Sequence, residues 1–412
     1  MNSHANPNAP STESLYRDAI AWFDGAIARV DELVAPAESA AQRLLQGGRL
    51  YTLGAHGLVC ELTGRAGGLA GLQPWTVERL TDKDVVLAGQ LLPDEMSGCI
   101  RDLAAIARGD TRLTPTLTIY IASGSWLLTQ RMAASFRQHW GQHVILDTHV
   151  GPARNLAAQS LAQMAGVATA WALVGEIHSA VARSGRALAT YGSLLEPGGR
   201  EWLAKYSGRV FNDDITLAPA PPGQRARSYL STCRRQIAAF LASDQPGQVR
   251  LAATRLADAL GSGRMAMVLM AGHLLAEDYM IPQDMDRMIL FGRDYEWRRP
   301  CILQEGDFLV YMAYLDYPQE FVDRAMAMGA NVITFTAEPN GPTNDRQAHI
   351  CGHWQRWDSV VDVQGSPYRI LPTSGVVQTP QWFSFMSELM ALERGGLGKA
   401  RGGAPLNPGG SV

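Results

Sequence analysis

Apolar positions along the chain alternate between a helical and a strand-length period. From Ser14 to Leu45 they recur with helical spacing at Ala19, Ile20, Phe23, Ile27, Val30 and Val34, then at Ala40, Leu44 and Leu45. That pattern predicts two helices with a break at Pro36. Gly47-Gly48 stops the second, and the short apolar run Leu50 to Leu53 reads as a strand. Glu61 to Ala66 is expected to be helical up to Gly67-Gly68. Trp75-Thr76-Val77, Thr116 to Ala122 and His143 to Leu146 predict a second, third and fourth strand, with a helix over Trp126 to Trp140. A long helix is expected from Asn155 to about Arg183. An irregular passage with Glu196-Pro197-Gly198-Gly199 then leads to Ala218-Pro219-Ala220-Pro221-Pro222-Gly223, the clearest linker in the chain.

The plan then repeats. Helices are predicted over Arg227 to Leu241 and Val249 to Leu260, and strands over Ala266 to Met270, Phe308 to Ala313 and Val332 to Phe335. A helix over Gln319 to Met328 separates the last two. After Val360-Val361-Asp362-Val363 the helix Trp382 to Leu392 closes the fold. Two segment pairs suggest duplication: Gly48-Arg49 with its strand, His56 and Glu61 against Gly263-Arg264 with its strand, His273 and Glu277, and Gly141 to Thr148 against Gly329 to Thr336. Strands alternating with helices predict parallel sheets. The expected fold class is α/β, as two Rossmann-like, flavodoxin-type three-layer αβα domains arising from internal duplication. The expected boundaries are a disordered 1–13, a first domain over 14–183, an interdomain segment over 184–226, a second domain over 227–394 and a disordered tail over 395–412.

Composition changes this picture little. With 46% hydrophobic and 18% charged residues the chain is ordinary for a globular protein, and its 412 residues suit two domains. A net charge of -3, without a run of Lys/Arg interleaved with aromatics, gives no argument for nucleic acid. Five scattered cysteines without C-x-x-C spacing point to reduced thiols, hence a cytoplasmic protein, rather than a disulfide framework or zinc ribbon. The polar start from Met1 to Glu13 lacks the basic and apolar regions of a signal peptide. Leu156 to Gly175 carries no charge and has the length of a membrane span. Its alanines and its Gln159, Ser160, Gln163 and Thr169 favour a helix buried in a core or a homo-oligomer interface.

At Glu61-Leu62-Thr63-Gly64-Arg65-Ala66-Gly67-Gly68 the chain resembles the Glu-x-x-x-Arg-Ala-Gly-Gly segment of SIS (sugar isomerase) domain proteins. The Gly-Arg-strand-turn units and the Gly-x-x-Val-Ile-x-x-Thr strands match that family too, over roughly residues 40–180 and 228–392. The resemblance implies tandem SIS domains, a sugar phosphate or related sugar as ligand, sites formed between chains of a homo-oligomer, and no cofactor. It also implies a phosphate site at a Ser-x-Ser-Gly turn after the third strand. The corresponding first-half turn is Ile121-Ala122-Ser123-Gly124-Ser125, where Ile121 replaces the first serine. Hydroxyls and backbone N–H groups at such a turn converge on an anion; an ordinary helix cap at Ser125 is the alternative. In the second half Asp316 stands at the place read as equivalent, with Gln319 three residues on as a capping box.

Moving a proton between adjacent sugar carbons needs a carboxylate or imidazole. Glu61 and His56 are the first-half candidates and His273 with Glu277 the second-half pair. Gly54, Ala55, Ser123, Gly124, Ser125 and Arg65 are the expected ligand contacts. A structural ion pair between Glu61 and Arg65, four residues apart on a helix, is the alternative for those two. His349-Ile350-Cys351-Gly352-His353, read as a loop, carries two imidazoles and a thiol. Without a second matching pair it does not amount to a metal site, and none is expected.

Overall fold

The computed structural model describes residues 12–75, 80–90, 116–122, 142–151, 156–271, 287–293, 303–313, 317–353 and 358–397. The predicted helix over Trp126 to Trp140, residues 1–11 and the tail from residue 398 lie outside them.

Helix α1 (Thr12–Ala28) and helix α2 (Val34–Leu45) are joined by a single 3-10 turn, Val30–Leu33. The break therefore falls at Arg29, and Pro36 sits in the first turn of α2. Proline is tolerated there because its missing N–H has no helical partner anyway. Strand β1 (Leu50–Gly54) leads to helix α3 (His56–Leu62), which starts earlier and ends earlier than the apolar pattern predicts. Thr63 is extended and Gly64 is left-handed at φ +67°, so the helix stops after two turns and Arg65 lies beyond it. Then come β2 (Leu72–Pro74), β3 (Val85–Gln90), β4 (Leu117–Ala122) and β5 (Gln142–Asp147). Helix α4 (Leu156–Arg183) and helix α5 (Gly199–Tyr206) complete the first half.

The second half holds α6 (Gln224–Ala242), α7 (Gln245–Gly261), β6 (Ala266–Ala271), β7 (Met288–Arg293) and β8 (Phe308–Ala313). It continues with α8 (Gln319–Ala327), β9 (Asn331–Thr336), β10 (Gln347–Cys351), β11 (Ser359–Val361), β12 (Ile370–Pro372) and α9 (Ser374–Leu397). Helix α9 runs through Gly395, where a disordered tail is expected from sequence. The pattern reading misses strands β3, β7, β10, β11 and β12, and β2 lies just ahead of the strand it expects at Trp75-Thr76-Val77.

Two five-stranded sheets result, ordered β2-β1-β3-β4-β5 and β7-β6-β8-β9-β10, parallel throughout. Both have the flavodoxin-type order, so the fold is a duplicated α/β fold with Rossmann-like halves. The pairing also fixes which residues correspond. Leu50 lies opposite Val85, and Ala266 lies opposite Phe308. Each of those partners follows an aspartate that receives two backbone N–H groups. Asp84 accepts from Arg49 at 2.8 Å and Thr81 at 2.7 Å; Asp307 accepts from Met265 at 3.0 Å and Gln304 at 2.8 Å. Leu50 thus matches Ala266, and Gly47 matches Gly263, with φ of +91° and +92°.

This register corrects the sequence pairing by one residue. It sets Gly47-Gly48-Arg49 against Gly263-Arg264-Met265, and at the same offset Glu61 corresponds to Glu277, while His56 faces Gly272 and Gly57 faces His273. It also corrects the strand matches. The counterpart of β4 is β9 and that of β5 is β10, so Gly141 to Thr148 and Gly329 to Thr336 are not equivalent.

The halves share one apolar core that takes in Ile119 and Trp171 as well as Val310 and Trp382. Helix α4 is its centre, packed against α2, α6 and α9. It is the one helix among the described residues long and apolar enough to cross a membrane, and nearly all of that apolar stretch is buried within the chain. Its uncharged surface is covered from within, which removes the reason the sequence offers for a partner chain on this helix.

Candidate functional site

The segment that carries the family resemblance lies where the halves meet. Arg65 donates to Glu61 through one guanidinium nitrogen, and through the other to Asp358 at 2.7 Å and to Ser374 Oγ. Asp358 Oδ1 also accepts the backbone N–H groups of Thr373 at 2.9 Å and Ser374 at 2.6 Å, which caps α9, and Oδ2 accepts from Ser374 Oγ at 2.8 Å. Trp171 Nε1, on α4, donates to Glu61 Oε1 at 3.1 Å. Glu61, Arg65 and Asp358 are all buried, at 1%, 3% and 3% exposure.

The glycines of the motif serve the same junction. Gly67, at φ +79°, donates to the Tyr191 carbonyl at 2.8 Å and accepts from Leu371 N at 2.9 Å. A Cβ on it would collide with the Ser359 hydroxyl, and one on Gly375 would collide with the Glu61 carboxylate. Asp358, just ahead of β11, and Leu371, within β12, hold φ of +65° each, a left-handed conformation that costs a side-chain-bearing residue energy. Sequence reasoning finds the Glu61–Arg65 pair. It misses Asp358, Ser374 and Trp171, which come from distant parts of the chain and carry no local signal.

Two carboxylates share one guanidinium here. Burial pushes the Glu61 carboxyl up from 4.5 to about 7, against the pull of Arg65 and Trp171, and the Asp358 charge adds to the rise. A carboxyl near neutrality is what proton transfer wants. Both Glu61 oxygens are nevertheless committed to neighbours, with Gly375 packed against them, so a substrate proton would have to displace a packed side chain.

At the carboxyl edge of the first sheet the order of strands puts the switch point between β1 and β3. Gly54 lies opposite Gly89, and Ala55 N donates to the Gly89 carbonyl at 3.0 Å. Gly54 holds φ +121°, and any side chain there would strike the Gly89 backbone. His56 opens α3 at this edge. Gly54, Ala55 and His56 are thus together, whereas Glu61 and Arg65 point into the junction behind them.

Ser123, Gly124 and Ser125 lie outside the described residues, as do His273, Glu277 and Asp316. The strands leading to them still bear on the expectations. β4, which ends at Ala122, is the fourth strand, two strands and about 10 Å from β1. The third is β3, ending at Gln90, and Leu91-Leu92-Pro93 follow it. Ser123 to Ser125 therefore follow the fourth strand and not, as the pattern reading counts it, the third. Asp316 follows β8, the counterpart of β3, so it is no equivalent of Ser123. Helix α8 starts at Gln319 with Pro318 at its N-cap, so Gln319 is not the third helical residue a capping box requires; its amide donates to Asp323 at 2.7 Å.

The His349–His353 segment is largely strand β10 and not a loop. His349 shares a hydrogen bond at 2.8 Å with Thr334 and one at 2.6 Å with the Glu338 carbonyl, so both ring nitrogens are engaged. A second buried polar group, Glu176 on α4, accepts from Gly223 N at 2.8 Å and Ala226 N at 3.0 Å and thereby caps α6. Beside it Arg225 donates to His178, whose imidazole is pushed down to about 3, by burial first and Arg225 second.

No family model and no curated protein matches the chain. Among solved structures it is similar to the crystal structure of a protein of Salmonella typhimurium LT2 provisionally named as sugar-binding. The two share 12% identity over 92% of this chain and 98% of that one, with a TM-score of 0.46. Likeness at that level bears on neither ligand nor reaction.

Proposed function

We propose that the protein binds a carbohydrate derivative at the carboxyl edge of its first sheet, against Gly54, Ala55 and His56, and that it is a SIS-like binding protein without isomerase chemistry at Glu61. The observation that carries this reading is the engagement of Glu61: both oxygens are held, by Arg65 and Trp171, in a cluster closed by Asp358 and Ser374. A carboxylate so placed fixes one half of the molecule to the other. The ligand class is supported by the resemblance at Glu61 to Gly68 and by the sheet order, whose switch point is where open α/β sheets take ligands.

Thermal unfolding of the full chain with glucosamine 6-phosphate, fructose 6-phosphate, sedoheptulose 7-phosphate and their unphosphorylated sugars tests the binding claim. At least one is expected to raise Tm at millimolar concentration; no shift with any of them would sink it. The rival reading, isomerisation with Glu61 as base, draws on the carboxyl lying near 7. Aldose–ketose interconversion by wild type that Glu61→Gln abolishes, with binding intact, would favour the rival.

A further inference from the structure

The β11–β12 ribbon is a two-stranded sheet separate from both larger ones, and it lies as a strap on the motif of the first half. Leu371 N donates to the Gly67 carbonyl at 2.9 Å, and Ser359 Oγ donates to the Ala66 carbonyl at 3.3 Å. From α6, Tyr229 Oη donates to the Pro372 carbonyl at 2.8 Å. Asp358 and Leu371 keep their left-handed backbones at this strap, a strain that persists only while the contacts around it hold. The strap therefore depends on what fixes Asp358, and that is the charge cluster at Arg65.

The charges in that cluster do not balance without a proton. Glu61 and Asp358 are two buried carboxylates, and among the described residues Arg65 is the cation they share. The other titratable groups against them are Tyr229 and Cys233 on α6; burial raises both, so they are neutral near pH 7. Trp171 from α4 and Ser374 from α9 add hydrogen bonds but no charge. With both carboxylates ionised the junction holds a net buried negative charge, a state that burial disfavours against one that keeps a proton. Asp358 has its four lone-pair directions filled, by Thr373 N, Ser374 N, Ser374 Oγ and Arg65. Glu61 receives Arg65 on one oxygen and Trp171 on the other, so it has room for the proton. The rise of its carboxyl to about 7 agrees with that assignment.

We propose that the β11–β12 strap is a proton-operated latch between the halves: closed, it holds one proton on Glu61, and it opens locally as that proton passes to solvent. The latch goes beyond the ligand site proposed at Gly54 and does not depend on it. Linkage gives the sign. With the Glu61 carboxyl at about 7 in the closed latch and at the ordinary 4.5 in the open one, opening grows more favourable as pH rises from 4.5 and levels off above about 7.

Amide hydrogen exchange of the full chain at pH 5 and pH 8, corrected for intrinsic rates, tests the latch in wild type and Glu61→Gln. The amides of Gly67, Leu371, Thr373 and Ser374 are the ones that the closed latch protects. Those of Arg49 and Met265, bound to Asp84 and Asp307, serve as controls. In wild type the protection of the latch amides is expected to fall at least tenfold from pH 5 to pH 8 while the controls hold. In Glu61→Gln all of them are expected to stay level. Latch protection that does not change with pH in wild type overturns the proposal, and so does an equal fall in Glu61→Gln. A fall shared by latch and control amides overturns it too, because it reports unfolding of the whole chain. If the variant does not fold, the carboxyl carbon resonance of Glu61 in labelled wild type decides. It is expected to titrate with a midpoint near about 7, and a midpoint at the ordinary 4.5 contradicts the latch.

Discussion

Glu61 and Arg65 are the residues at which a catalytic and a structural reading compete, and their surroundings favour structure. Removing one partner of a buried ion pair leaves the other charge uncompensated, typically at about 3–5 kcal/mol. Arg65→Ala is therefore expected to destabilise the protein on that scale in urea unfolding; a loss under about 1 kcal/mol would show that the cluster holds little. The pH dependence has a definite sign. Because the folded-state value of Glu61 is raised to about 7, its favourable contribution is present below the ordinary 4.5 and is lost as pH rises through about 7. His178 acts in the opposite sense. Its depressed value makes its contribution full above 6.5 and lost as pH falls toward about 3. The two oppose one another between 4.5 and 6.5. Tm of wild type is expected to fall between about pH 6 and 8, and Glu61→Gln to remove most of that fall. Parallel curves for the two proteins would refute the assignment.

At the scale of elements, the paired aspartates ahead of β3 and β8 show what the duplication preserves. Asp84 and Asp307 each tie the residue before the first strand of their half to the turn before its third. Asp84→Ala and Asp307→Ala each strand two backbone N–H groups, and each is expected to cost about 2 kcal/mol in chemical denaturation. A large effect in one half alone would mean that the copies no longer use the contact alike. The strands that sequence reading misses explain its errors of correspondence. Val85 to Gln90 is a short apolar run, buried where described, without the alternation that marks a half-exposed strand. With β3 unread, β4 counts as third, and the stretch after Ala122 is taken for the one after Gln90. The helices were easier to read, since amphipathic spacing over several turns is hard to mistake. The end of α3 was not, because Thr63 and Gly64 override a motif that looks helical up to Ala66.

For the whole molecule, fold class and duplication are legible in the chain, but the union of the halves is not. Nothing near Arg65 in sequence announces Asp358, and nothing in α4 tells that α9 covers it. With one apolar core spanning both sheets and a buried ionic cluster across them, urea unfolding followed by tryptophan fluorescence and circular dichroism is expected to show a single coincident transition. Two separated transitions would mean that the halves are independent domains. The claim that these sheets serve carbohydrate binding is tested most directly by saturation-transfer-difference NMR of the full chain with a mixture of hexoses, amino sugars and their phosphates. The account predicts transfer to the ring protons of at least one sugar, retained in Glu61→Gln. Transfer to none of them would contradict it.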